Sequence, residues 1–278
     1  MKKYGALKSW CKAIIPPVLF DLFRAVKQKS GIRFEGPISD WETAEKLSTG
    51  YNKEEILQKT LNATMAVIKG EAKYERDSIA FSEIEYDWPV ISTIMWTAAK
   101  NQGILRLLDF GGALGSSFFN YRRFLKELKE VHWNVVEQSH FVACGKSKIQ
   151  NDQLKFFYSL EESCNDMIPD IILFGSALQY IPQPLSLFRE ICRLQPQTIL
   201  LDRTYISDDN IDRIFIQKNP ASIYDASYPC HFISEPDMLE IAEGMNFELI
   251  KSYDCFEFPG LEKKGARLKG YIFSKTSL

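Results

Sequence analysis

A chain of 278 residues, 45% hydrophobic and 25% charged, has an ordinary globular composition, which excludes a disordered or fibrous polymer and leaves room for one large domain with an accessory segment. A formal net charge of −2 exerts no overall pull on nucleic acid, so no nucleic-acid partner is expected. Six scattered cysteines without a C-x-x-C pair make neither a zinc site nor a disulfide framework, which points to reduced thiols in a cytoplasmic protein.

Residues 1–30 carry seven basic side chains against Asp21 alone. The apolar run within them, "AIIPPVLFDLF", is too short to span a bilayer and is interrupted by Pro16, Pro17 and Asp21. It lacks a small-residue cleavage site and is not read as a secretion signal. Two readings remain: a basic amphipathic element in peripheral contact with an anionic inner membrane face, or a helix packed on the core with solvated lysines. Residues 31–100 read as helical, with a cap at Ser39 or Asp40 and a break at Gly50. Ile56, Leu57, Leu61, Met65 and Ile68 recur at helical spacing, and a further helix is predicted over Pro89 to Lys100. Residues 1–100 are therefore expected to form a helical extension, and 101–278 the ligand-binding domain.

From residue 101 the pattern changes. Short apolar strands alternate with helices: "ILRLLDF", helix 117–130, "HWNVVEQ", helix 140–150, "LKFFYS", "PDIILFGS", helix 184–194 and "TILLDRT". This alternation predicts an α/β fold with a parallel sheet and helices on its faces. A long insertion, 205–234, precedes the helix "EPDMLEIAEGM". Two last strands, "FELIKSYDCFEF" and "RLKGYIFSK", suit an antiparallel hairpin around "PGLEKKG". The prediction is a doubly wound, Rossmann-like seven-stranded sheet of five parallel strands plus that hairpin.

The stretch "LLDFGGALGSS" joins the first strand of this series to its helix. Such a strand–loop–helix switch brings backbone close to a nucleotide-like ligand. A dinucleotide fingerprint, G-x-G-x-x-G, fails here, because Ala113 and Ser116 stand at the second and third glycine positions. Asp109, ending the strand, suits a ligand with a positive amino group or a water bound to one. Glu137, ending the second strand 22 residues after Gly115, can accept both hydroxyls of a ribose.

D-x-G-G-x-x-G, an acid ending strand two, and "PDIILFGSALQYI" together resemble a class I S-adenosylmethionine-dependent methyltransferase over residues 101–278. The blocks "DWETAEKLSTGYNKEEI", "YDWPVIST", "FGGALGSS", "VVEQ", "SALQYI", "LLDRTYI" and "YDASYPCHF" resemble methyltransferases encoded in bacterial surface-polysaccharide (O-antigen and capsule) clusters. The resemblance implies S-adenosylmethionine as cofactor, with Asp109, Gly111, Gly112, Ala113 and Gly115 at its methionine end. It implies Glu137 at the ribose with Gln138 beside it. Tyr158, Ser159 and Leu160 would border the adenine, and Gly175 and Ser176 would lie under the sulfonium. Ala113 departs from the wider superfamily, which has a glycine there. The resemblance also implies O-methylation of a surface glycan or its nucleotide- or lipid-linked precursor.

Acceptor-side residues are expected from the carboxyl ends of the fourth and fifth strands and from the insertion. Those positions hold Gln179, Tyr180, Asp202, Arg203, Gln217, Tyr228 and His231. His231 suits a general base because imidazole titrates near neutral pH; the alternative is a packed histidine. Arg203 suits a clamp on phosphate or carboxylate, or an ion pair closing a strand end. Tyr228 joins these two as a catalytic candidate, while Gln179, Tyr180 and Gln217 are candidate substrate contacts. His132, His140 and His231 form no metal-ligand spacing with the cysteines, and no metal is expected. The competing readings are a nicotinamide-dependent Rossmann oxidoreductase and a non-catalytic binding module of the same fold.

Overall fold

The computed structural model describes residues 31–50, 54–220, 225–256 and 259–276. The basic segment 1–30, with its expected membrane or core contact, lies outside them. No helix among the described residues is long and apolar enough to cross a membrane.

A seven-stranded sheet forms the centre. Its parallel strands are β4 (Ile104–Phe110), β5 (Glu130–Val136), β6 (Leu154–Phe157), β7 (Ile171–Gly175) and β8 (Thr198–Ser207). The antiparallel pair β11 (Phe247–Asp254) and β12 (Ala266–Lys275) completes it, in the order β11-β12-β8-β7-β4-β5-β6. The predicted five-plus-two arrangement is what the chain builds. The short runs are apolar on both sides because both sheet faces are covered. On one face Leu105, Leu107 and Trp133 pack with Ile56 and Leu61 of α2 (Glu54–Ile68) and Ile94 of α3 (Trp88–Lys100). On the other, Leu108, Ile172 and Phe174 pack with Phe188 of α7 (Pro184–Arg193) and Met238 of α8 (Glu235–Gly244).

Register aligns the strand ends. Asp109 lies opposite Val135 and Leu173, and Gly175 opposite Asp202, so the carboxyl ends of β4, β5, β7 and β8 form one rim. Helix α4 (Ser116–Leu125) follows β4 and stops short of the predicted 130, because Glu130 already belongs to β5. The helices α5 (Ser139–Lys148) and α6 (Leu160–Asp166) follow β5 and β6.

Two expectations fail. Residues 31–100 are not helical throughout: besides α1 (Trp41–Lys46), α2 and α3 they supply β1 (Arg33–Ile38), β2 (Tyr74–Arg76) and β3 (Ile79–Phe81). The insertion, for which the sequence predicts no strand, is not irregular either. It contains β9 (Arg213–Lys218) and β10 (Ser227–Phe232), which form a second sheet in the order β1-β9-β10. Strand β1 can be stable only with β9, roughly 180 residues away, so no local pattern announces it. Backbone bonds from Ile233 to Tyr205 (2.8 Å) and from Ser207 to Ile233 (3.0 Å) fasten the second sheet to the end of β8, above the rim.

Candidate functional site

A cavity of about 690 Å³ opens where the rim, the second sheet and the β2–β3 hairpin meet. This size lies in the usual range for small-molecule sites. The β4–α4 loop forms its floor. Gly111 has φ +72°, and its N–H donates to the Val136 carbonyl at 2.9 Å, so the loop folds back across the end of β5. A Cβ on Gly112 would lie 2.5 Å from the Asp109 carboxyl carbon. Only glycine lets the loop close over that carboxylate. Ala113 takes φ +50°, the left-handed region that favours glycine, and still lines the cavity. Gly115 (φ +80°) precedes α4, but its missing side chain makes room for Leu154 rather than for a ligand.

Three carboxyl groups surround this loop. Asp109 is 1% exposed, and its Oδ2 accepts from the indole N–H of Trp133 at 3.2 Å. Burial pushes its pKa up to about 7, opposed by that indole N–H and reinforced by the charge of Glu137. Glu137, just beyond β5, accepts from the Gln138 N–H at 2.9 Å, and burial likewise lifts it to about 7. The third is Glu75 of β2, 2% exposed, whose Oε1 accepts from the Ser78 N–H at 2.8 Å. Burial raises it to about 7 against the Ser116 hydroxyl and the Ser78 amide. Its backbone is pinned to α4 from both sides: its N–H donates to Asn120 Oδ1 (3.0 Å) and its carbonyl accepts from Asn120 Nδ2 (2.6 Å).

Arg203 faces these acids from β8. Between Leu201 and Thr204 the pairing with β12 slips, so that two residues of β8 oppose Gly270 alone, and Arg203 sits in this bulge with φ +53°. A bulge re-aims its side chain, here into the cavity. Its Nε donates to Asp202 at 2.9 Å, and Nη1 lies 3.7 Å from Asp77 in the β2–β3 turn. Burial works against its charge, yet Asp202 and Asp77 hold its pKa well above the ordinary value. Asp202 Oδ1 also accepts from the Tyr253 hydroxyl at 3.1 Å. The arginine is thus built into the wall by an ion pair, and it lines the cavity as well.

Opposite the glycine loop stands an uncharged polar wall centred on Gln217. Its Oε1 accepts from Tyr180 (3.0 Å) and Tyr205 (2.9 Å), and its Nε2 donates to Asn219 Oδ1 and to the Tyr228 hydroxyl, both at 3.0 Å. Asn219 Nδ2 donates to the same Tyr228 oxygen at 2.8 Å. Strand register explains the grouping, because Tyr228 and Gln217 are direct partners across β9 and β10.

Of the sequence-predicted residues, Asp109, Gly111, Gly112, Ala113, Glu137, Gln138, Tyr158, Gly175, Ser176, Tyr180, Arg203, Gln217 and Tyr228 all line this one cavity. The others do not. Ser159 caps α6, its Oγ accepting from the Glu162 N–H at 3.1 Å, and Leu160 packs into the core beneath the sheet. Gln179 is buried; its Nε2 donates to Ser176 Oγ and to the Arg203 carbonyl, both at 3.1 Å, bracing two left-handed turns. His231 needs the plainest correction. It is 4% exposed and stacks on Trp41 with ring centroids 5.1 Å apart. Its Nδ1 lies 3.1 Å from the Asp212 carboxylate and its Nε2 3.3 Å from the Pro182 carbonyl. It stands three residues from Tyr228 along β10, and alternation sends it to the other side of the strand, away from the cavity. It is a packed histidine.

The hairpin residues Glu75 and Asp77, and Tyr205 and Asn219 on the polar wall, escaped sequence reasoning. The only local cue to the hairpin is a polar run, Glu75 to Ser78, between Tyr74 and Phe81. Asp77 and Ser78 occupy the left-handed region (φ +53° and +66°), as a two-residue hairpin turn requires, but the pair lacks the Asn-Gly or Asp-Gly signature. Among the described residues, no group of three or more His, Cys, Asp or Glu is arranged to hold a metal ion.

No protein-family model matches the chain, and no curated protein matches it. Among solved structures it is similar to the N-terminal domain of EvdMO1 in the presence of SAH and D-fucose, at 11% identity, covering 81% of this chain and 97% of that one with a TM-score of 0.49. It is also similar to magnesium protoporphyrin IX methyltransferase from Synechocystis with bound SAM (12% identity, 82% and 100% covered, TM-score 0.44). A third is an S-adenosylmethionine-dependent methyltransferase from Clostridium acetobutylicum (11% identity, 69% and 94% covered, TM-score 0.43).

Proposed function

We propose that this chain is an S-adenosylmethionine-dependent methyltransferase that O-methylates a glycan or glycan precursor of a bacterial surface. One observation carries the choice of cofactor. Around the glycine loop and the head of α4 the cavity presents carboxyl groups, Asp109, Glu137 and Glu75. A dinucleotide would rest its diphosphate at that helix head. The carboxyl group of Glu75 beside Ser116 opposes such an anion, which counts against the nicotinamide reading. A cofactor that is a sulfonium and a primary ammonium at once suits the same surroundings.

The local shape supports this fit. Gly112 lets the loop close directly over the Asp109 carboxylate, and Glu137 follows the second strand, from which an acid accepts a ribose diol. When bound, the cofactor would supply an electrophilic methyl group: an acceptor hydroxyl oxygen would take it by in-line displacement, with S-adenosylhomocysteine leaving as the neutral thioether and the hydroxyl proton released. This chain's own residues bind, orient and exclude water. Glu137 accepts from the ribose hydroxyls, with Gln138 and Tyr158 bordering the base. Gly175 and Ser176 bring bare backbone to the rim. The wall offers the hydroxyls and aromatic faces of Tyr180 and Tyr228, both held by the Gln217 amide, to a hydroxylated ring, which is the ground for a glycan acceptor. Positioning of this kind lowers the barrier by removing freedom of the reacting groups in advance.

A transfer assay with methyl-labelled cofactor over fractionated glycan precursors tests the reading, and label entering a glycan fraction is the expected result. Binding without transfer to any fraction would favour the non-catalytic module. The cofactor or its demethylated product should raise the melting temperature, whereas NAD should not. Glu137→Ala should weaken cofactor binding by about 1.5–3 kcal/mol, the worth of hydrogen bonds to a charged group. Undiminished affinity in calorimetry removes Glu137 from the ribose.

A further inference from the structure

Glu75 has a property that its packing role does not use. One carboxyl oxygen, Oε1, is held by the Ser78 amide, but Oε2 is buried with no partner in good hydrogen-bond geometry, even with the Ser116 hydroxyl close enough to oppose the rise in the group's pKa. A buried acid with an open acceptor atom is costly, and a folded chain retains one where something completes it. The residue lines the cavity, so a ligand seated there comes up against this side chain. Much of the local construction serves to hold it there. Asn120 grips its peptide group on both sides, and the turn at Asp77 and Ser78 adopts two left-handed residues in succession. Asp77 in turn lies 3.7 Å from Arg203 at the cavity wall.

We propose that Glu75 is the subsite for a primary ammonium group, the one at the amino-acid end of the cofactor. The assignment rests on the methyltransferase reading above and deepens it. Position along the cavity selects that end. Asp109 ends β4, which in the strand order β8-β7-β4-β5 lies between the strand of Arg203 and the strand that Glu137 follows. Asp77, two residues from Glu75, lies 3.7 Å from Arg203 of β8, and in the strand order β8-β7-β4-β5 that strand is on the other side of β4 from Glu137, which follows β5. A ligand with its ribose at Glu137 and its chain running over the loop brings its far end to Glu75. An ammonium there gives Oε2 its missing partner and restores the carboxylate that burial disfavours. Burial, which raises the pKa of Glu75, is the condition that a neighbouring cation would offset.

The test is calorimetric and does not depend on turnover. Wild type and Glu75→Gln are titrated with S-adenosylhomocysteine, which carries the ammonium, and with 5′-methylthioadenosine, which lacks the whole amino-acid end. Glutamine keeps the shape and the bond from Ser78. The expected result is a loss of about 10- to 100-fold for the first ligand and no change for the second, the size of a charge-assisted hydrogen bond. Equal affinity of variant and wild type for S-adenosylhomocysteine overturns the assignment while leaving the methyltransferase reading intact. If wild type binds neither ligand, that reading itself fails and the subsite falls with it. Should the glutamine variant lose both ligands, Glu75→Asp is titrated in the same way, since it retains the charge. Aspartate that binds 5′-methylthioadenosine normally and S-adenosylhomocysteine better than glutamine does supports the ammonium site; loss of both ligands again makes Glu75 purely structural and overturns it.

Discussion

Stability of the ligand-free protein is expected to fall as pH rises from about 4 to about 8, the reverse of ordinary acid denaturation. Asp109 is lifted from 3.8 to about 7, and Glu75 from 4.5 to about 7, both chiefly by burial. The unfolded chain releases these protons near pH 4 and the folded chain near pH 7. Between those values the folded state holds more protons, so stability declines as pH rises; below pH 4 both states hold them and the contribution is flat. For Asp109 the displacement corresponds to about 4 kcal/mol and for Glu75 to about 3 kcal/mol, as orders of magnitude. Urea denaturation across this range measures it. Asp109→Asn and Glu75→Gln should each flatten the curve, and a wild-type stability that climbs steadily from pH 5 to pH 8 would contradict the burial argument. A cationic ligand should stabilise the protein more at pH 8 than at pH 5, because only the ionised carboxylates attract it.

Arg203→Met should cost about 3–5 kcal/mol of folding stability, the usual penalty for stripping the partner from a buried charge. Asp202 is 3% exposed and would be left with the Tyr253 hydroxyl and the Cys255 thiol as its donors. Methionine conserves most of the aliphatic volume and adopts the same backbone region no more easily than arginine does. Adding Asp202→Asn to the variant removes the stranded charge, so the double variant should recover part of the loss. Denaturation of the four proteins in the cycle decides the matter. A double variant as unstable as Arg203→Met alone would mean that the loss comes from packing at the bulge and not from the ion pair.

Legibility in the sequence followed the range of the interaction. The run Ile104–Phe110, its glycine loop and the acid after the next strand were readable because each is a local pattern of apolar residues ending in a special one. Arg203, Gln217 and Tyr228 were reached by a coarser argument, that functional groups gather at strand ends and in long insertions, and all three line the cavity. The same argument failed for His231. No strand pattern is legible in the insertion 205–234, so nothing in the sequence tells which side a residue there faces; only in a paired strand does the three-residue spacing from Tyr228 place the imidazole on the far side. Gln179, Ser159 and Leu160 were near the site in sequence yet serve the turns and helix beside it.

The amino-acid sequence by itself determined the seven-stranded α/β sheet and the carboxylates Asp109 and Glu137 at its strand ends, because strand periodicity, turn chemistry and the alternation with helices act over a few residues at a time. Tertiary structure alone decided what those groups are chemically. It set the second sheet, by pairing Arg33 with Lys218, and it brought Glu75 from the amino-terminal hairpin to the head of α4. Burial then raised the three carboxyl pKa values, and the bulge opposite Gly270 turned Arg203 into the cavity. Solvent exclusion and pairing across the chain are properties of the assembled neighbourhood, and a side chain acquires them only when distant segments close around it.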